Sequence, residues 1–197
     1  MSDLLIYAVH ALFWASFGVT RMVVRPKAGP VAGAPEVTAE KPATAPFSRG
    51  LLALHTVAFG VMYMGIGQTV VPNRVPEWFA GQRIVGTAII ALGAFFMSWS
   101  LAYFQSWRFR AQLDAGHQLA TGGPFRWVRH PIYLGLTLLA LGSAVWVPTA
   151  FTWVGFVLMF IGSDLRGRAE EKLLEARFGE AYRAYTAKTK RFVPGVY

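Results

Sequence analysis

An all-α, polytopic membrane helix bundle of about five spans, with an amphipathic C-terminal helix on the cytoplasmic side, is the fold this sequence predicts. Composition is the first observation. Of 197 residues, 54% are hydrophobic and only 15% charged, and the mean hydropathy is +0.40. Soluble domains carry about 25% charged residues, so so apolar a chain needs lipid as its solvent. The second observation is segmentation, because the apolar residues fall into runs of the roughly 20 needed to cross a bilayer. The third is the placement of Lys and Arg between those runs rather than on one compact face.

The first run is Leu4–Val24. Asp3 precedes it, and Arg21 and Arg25 follow. A cleavable signal peptide has the opposite charge order, so an anchor with its N-terminus outside is expected. Residues 25–49 are rich in Pro, Ala and Gly and read as a flexible loop or a strap on the membrane surface, without chemistry. Leu51–Val71 is the second span, and the turn after it sets Trp78 at interfacial depth. The third is Ile84–Phe104, ending in the aromatic and basic anchor YFQSWRFR. Ile132–Trp146 and Ala150–Ser163 flank Pro148 and predict a tight hairpin through, or nearly through, the membrane. The charged stretch Asp164–Tyr197 is expected in water against the membrane face. Residues 1–104 thus carry three spans and the Pro/Ala-rich loop. Residues 105–197 carry the polar motif segment, hairpin and tail.

With the N-terminus outside, 17 of the 19 Lys and Arg residues lie inside, and only Arg74 and Arg83 lie outside. That bias sets the orientation, with the C-terminus cytoplasmic; for a cysteine-free chain of this size a bacterial inner membrane is expected. The bias also accounts for the net charge of +9 without nucleic acid. The absence of Cys excludes disulfides and thiolate chemistry. No His/Asp/Glu cluster has metal-ligand spacing, and no acidic residue within a span could complete a Ser-His-Asp triad. His10 and His55 lie in spans; hydrogen bonds to neighbouring helices are expected of them, with ligand or proton-carrier roles the alternative.

Chemistry is expected in two polar segments. In HQLATGGPFRWVRHPIYLG, residues 117–135, Gly122, Gly123 and Pro124 force a turn, and Arg129 and His130 precede Pro131 at the start of the fourth span. Proline suits the first helical position and leaves the next N–H groups free, so an anion site forms at the helix N-terminus. The plainer alternative makes Arg129 a topology anchor and His130 a cap. In the second segment, residues 164–185, Arg166 and Glu170 stand four apart and can pair on one helix face. Glu171, Glu175 and Glu180 add acid there. A solvated amphipathic helix explains these charges too. Position favours more: the helix leaves a membrane hairpin, so its first turn emerges beside Arg129 and His130. An anion site facing a carboxylate suits a zwitterionic ligand.

The two segments together resemble the isoprenylcysteine carboxyl methyltransferase and phospholipid methyltransferase superfamily. The matching residues are Leu119, Thr121, Gly123, Phe125, Arg129, His130, Pro131, Tyr133 and Gly135. After the hairpin they continue with Glu170, Glu171, Leu174, Phe178, Gly179, Tyr182 and Tyr185, ending at Pro194. The likeness covers roughly residues 110–197. It implies S-adenosyl-L-methionine as cofactor, bound by Gln118, Leu119, Gly123, Arg129, His130, Tyr133, Leu134, Gly135, Glu170 and Glu171. It also implies Arg166 and Glu170 as a catalytic pair that positions a lipophilic or small membrane-accessible methyl acceptor. Sterol-type reductases that use NADPH carry a similar motif but usually place Asn after the Pro, where this chain has Ile132. A scaffold without activity is the third reading.

Overall fold

Residues 2–24, 43–44, 47–104, 112–113 and 119–197 are described by a computed structural model of the chain. Unbroken apolar runs with no internal proline make three long helices: α1 (Leu5–Val23), α2 (Ser48–Val70) and α3 (Gln82–Tyr103). Their 19, 23 and 22 residues reach roughly 30 Å at 1.5 Å per residue, the thickness of a hydrocarbon core. All three are long and apolar enough to cross a membrane. Leu12, Val19, Met22, Ile84 and Phe95 point outward and exposed, an arrangement only lipid tolerates on this scale. The chain is an integral membrane protein.

α4 (Pro131–Trp146) and α5 (Ala150–Lys188) complete the bundle. α4 is apolar but short, at 16 residues. The expected hairpin forms across Val147–Thr149. Thr149 caps α5 reciprocally with Thr152, each side chain accepting from the other's backbone N–H at 3.2 and 3.0 Å. One feature differs from expectation. The helix that begins with Ala150–Ser163 does not end there; it runs on to Lys188. The switch from apolar to charged residues there marks a solvent boundary, and no proline or cap ends the helix. Its one break is Gly179 (φ 50°, ψ −118°), a conformation reserved almost wholly for glycine.

α3 packs along α4 and α2 along α5, with α1 on α3 and α4 on α5. Glycines permit the closest of these contacts. A Cβ on Gly86 would lie 2.7 Å from the Gly142 carbonyl oxygen, and one on Gly142 would lie 2.6 Å from that of Gly86. Gly93 and Gly135 repeat the arrangement at 2.7 and 2.8 Å. Each helix thus places two glycines seven residues apart on one face. Within lipid, helices associate through such backbone proximity because no hydrophobic force separates helix from solvent.

Both membrane histidines are satisfied by neighbours, as expected. His10 reaches Tyr63 Oη at 2.9 Å through Nδ1 and Ser143 Oγ at 3.0 Å through Nε2. His55 bonds the Leu51 carbonyl at 2.9 Å and Ser163 Oγ at 3.3 Å. Gln82 ties one end of the bundle, donating from Nε2 to the carbonyls of Pro76 (2.7 Å) and Trp146 (3.1 Å). Toward the other end the strands β1 (Ala43–Thr44) and β2 (Gln112–Leu113) pair antiparallel. Most of the Pro/Ala-rich loop lies outside the described residues.

Candidate functional site

The motif loop is shaped by what it packs on. Gly123 has φ +54°, and a Cβ there would stand 2.6 Å from the Tyr103 ring. Glycine therefore lets the loop turn tightly over the end of α3. A short 3-10 turn (Gly123–Arg126) follows, with Phe125 buried against Phe104. The chain then extends through Val128–His130 alongside residues 190–191. Arg129 N–H donates to the Lys190 carbonyl (2.8 Å) and His130 N–H to that of Arg191 (3.2 Å). Pro131 then opens α4 at its first position. The His130 side chain, at the N-cap, makes no capping hydrogen bond there.

α5 presents the facing groups on successive turns. Gly167 comes first: a Cβ there would meet His130 Cδ2 at 3.2 Å, so the imidazole lies against bare helix backbone. One turn on, Glu171 is a hub. It accepts from Arg129 Nε at 2.9 Å, from His130 Nε2 at 3.2 Å, and from Arg191 Nε and Nη2 at 3.0 and 2.7 Å. Arg191 Nη1 also donates to Asp164 Oδ1 at 3.0 Å, which in turn accepts from Tyr197 Oη at 2.7 Å. Burial works against the Glu171 charge, but the bonds from His130, Arg191 and Arg129 outweigh it and hold the carboxyl well below the usual range. Asp164 follows the same pattern: burial raises its pKa, and Arg168 with Tyr197 brings it below the ordinary value.

Glu170 faces a different set. It accepts from the Tyr133 hydroxyl, stands 3.6 Å from Arg166 Nε and lies 3.7 Å from His130 Nδ1. The Arg166 guanidinium sits 5.2 Å from the Tyr133 ring centre, and Tyr133 stacks on His130 at 5.7 Å. Consecutive residues on a helix point about 100° apart, so the two glutamates divide the site. Glu171 binds the loop to the C-terminal segment; Glu170 lines the Tyr133–Arg166 side.

Six expected site residues therefore meet: Arg129, His130, Tyr133, Arg166, Glu170 and Glu171. Others do not. Gly135 faces α3 through Gly93, and Gly123 backs onto Tyr103. Leu119 and Leu134 are half-buried, and Gln118 lies outside the described residues. Arg129 differs from expectation in kind: its guanidinium is turned onto Glu171 and the Thr189 carbonyl, rather than held open for an anion. Sequence reasoning missed Arg191 and Asp164. Arg191 stands 20 residues beyond Glu171, a separation with no helical periodicity, so the sequence does not distinguish it from the other basic residues of the tail.

These features define a class: an integral membrane protein of bundled helices with a charged site between the start of α4 and the middle of α5. The phospholipid methyltransferase family model matches residues 82–181, and the chain belongs to that family. The matched region begins at α3, earlier than the motif likeness alone, and ends short of Arg191. The chain is also similar to an uncharacterized protein of Haemophilus influenzae, 30% identical over 63 residues, which are all of that protein and 32% of this chain.

Proposed function

We propose that this protein is an S-adenosyl-L-methionine-dependent methyltransferase acting on a lipophilic or membrane-accessible acceptor: a phospholipid amine, an isoprenylcysteine-like carboxylate or a thiol. The observation that carries the reading is the convergence of His130, Tyr133, Glu170 and Glu171 from two segments at one end of a membrane bundle. The groups present suit a zwitterionic methyl donor. The N-cap residue His130 does not cap α4 with its side chain, and the first N–H groups and the helix dipole favour a carboxylate. Glu170, beside it, offers the negative charge an ammonium needs.

When bound, the sulfonium supplies an electrophilic methyl group, displaced in line by the acceptor. The chain's own task is alignment and exclusion of water. In this reading His130 and Tyr133 fix the wall of the pocket, and Glu170 holds the donor. Arg166 with Glu170 orients the acceptor at the lipid boundary. Residues 105–197 form the catalytic part, and the positive-inside bias sets this end of the bundle in the cytoplasm. The test is to incubate purified protein and an extract of bacterial lipids with methyl-labelled donor. Label should enter the organic phase, and Glu170→Gln should reduce it at least tenfold. Consumption of NADPH with no methyl transfer would contradict the proposal.

A further inference from the structure

Tyr182 is a buried polar side chain that the site as described leaves unused. It lies on α5 just past the Gly179 break, is 3% exposed, and has a hydroxyl with no hydrogen-bond partner among the described residues. Its neighbours solve the same problem differently. Tyr185, whose ring lies 6.2 Å away, donates to the Phe125 carbonyl at 2.6 Å. Tyr63, Tyr133 and Tyr197 each have a side-chain partner too. Leaving a buried hydroxyl unpaired is unfavourable, and native folds rarely do so without reason.

The surroundings indicate the reason. Burial is the main influence on the Tyr182 phenol and pushes its pKa up. The Glu171 carboxylate pushes in the same direction, while Arg129 and Arg191 oppose. Geometry sets Tyr182 on the α5 face that carries Tyr185 onto the motif loop at Phe125. We infer that the Tyr182 hydroxyl is a ligand-contacting group of this site, forming a hydrogen bond with a polar atom of the bound methyl donor. This rests on the methyltransferase reading above. It adds a binding residue from beyond the α5 kink, at a tyrosine that the motif likeness includes without giving it a role.

Tyr182→Phe removes the hydroxyl and nothing else. In the full chain in detergent, the ligand-free variant should unfold at the wild-type temperature or above it, because no internal bond is lost. Its affinity for S-adenosylhomocysteine should fall about tenfold, the worth of one hydrogen bond. Tyr185→Phe serves as the contrast, losing its bond to Phe125 and with it thermal stability. A Tyr182→Phe protein destabilised without ligand, as Tyr185→Phe is, would show an internal partner and overturn the inference. So would unchanged affinity. Failure of the wild type to bind S-adenosylhomocysteine would instead bring down the functional reading, and this inference with it.

Discussion

Two adjacent glutamates with separate duties are the most informative residues in this molecule. Glu171 shares one carboxylate among Arg129, His130 and Arg191. Removing its charge takes from Arg129 the carboxylate it pairs with and leaves Arg191 with Asp164 alone, which costs about 3 kcal/mol for pairs of this burial. Because its pKa is depressed in the folded state, this contribution is fully present above the unfolded value of about 4.3. It is lost as pH falls through the folded one. Thermal unfolding should therefore show Glu171→Gln less stable than wild type by a constant margin above about pH 5, shrinking below about pH 4. A margin that does not vary with pH would deny Glu171 this role. The sequence displayed the Glu170–Glu171 pair and the spacing of Arg166 to Glu170, and both are realised. It did not display which glutamate turns to which side, because that depends on where residues 189–191 return along the motif loop.

Among the elements, α3 and α4 form the tightest pair, and Gly135 shows what a motif glycine does for helix packing. The family likeness implied a cofactor-binding role for it. Its bare Cα instead abuts the Gly93 carbonyl. Gly135→Ala forces the helices apart, an overpacking penalty of about 1–3 kcal/mol. It should lower the unfolding temperature of ligand-free protein as much as Gly93→Ala does, with thermal scans of both variants as the check. A Gly135→Ala protein of normal stability that binds ligand poorly would restore the direct role. Helix lengths and the Pro148 hairpin were legible because lipid thickness and proline geometry act locally. The glycine pairing was not, since it joins residues 42 to 56 positions apart. The unbroken passage of α5 from apolar to charged residues was hidden for another reason: hydropathy reports solvent, and both halves favour helix.

Taken as a whole, the molecule places its chemistry at one end of a bundle whose other residues meet the demands of lipid. α1 and α2 lie outside the family match, yet α2 packs along α5 and carries His55, whose ring is 6.1 Å from Tyr133. α2 thus supports the site from below, while the C-terminal segment supplies Arg191 to its rim. Composition alone gave the solvent and the class of fold. The acceptor is not written in the apolar spans, because lipid-facing side chains answer to the bilayer first. The most direct test of the central claim, that the α4 start and the middle of α5 together bind a zwitterionic methyl donor, is calorimetric titration of the detergent-solubilised protein with S-adenosylhomocysteine, and separately with NADPH. The account predicts saturable binding of S-adenosylhomocysteine, weakened at least tenfold by both His130→Ala and Glu170→Gln, and none of NADPH. Binding of NADPH alone, or S-adenosylhomocysteine binding untouched by either substitution, would contradict it.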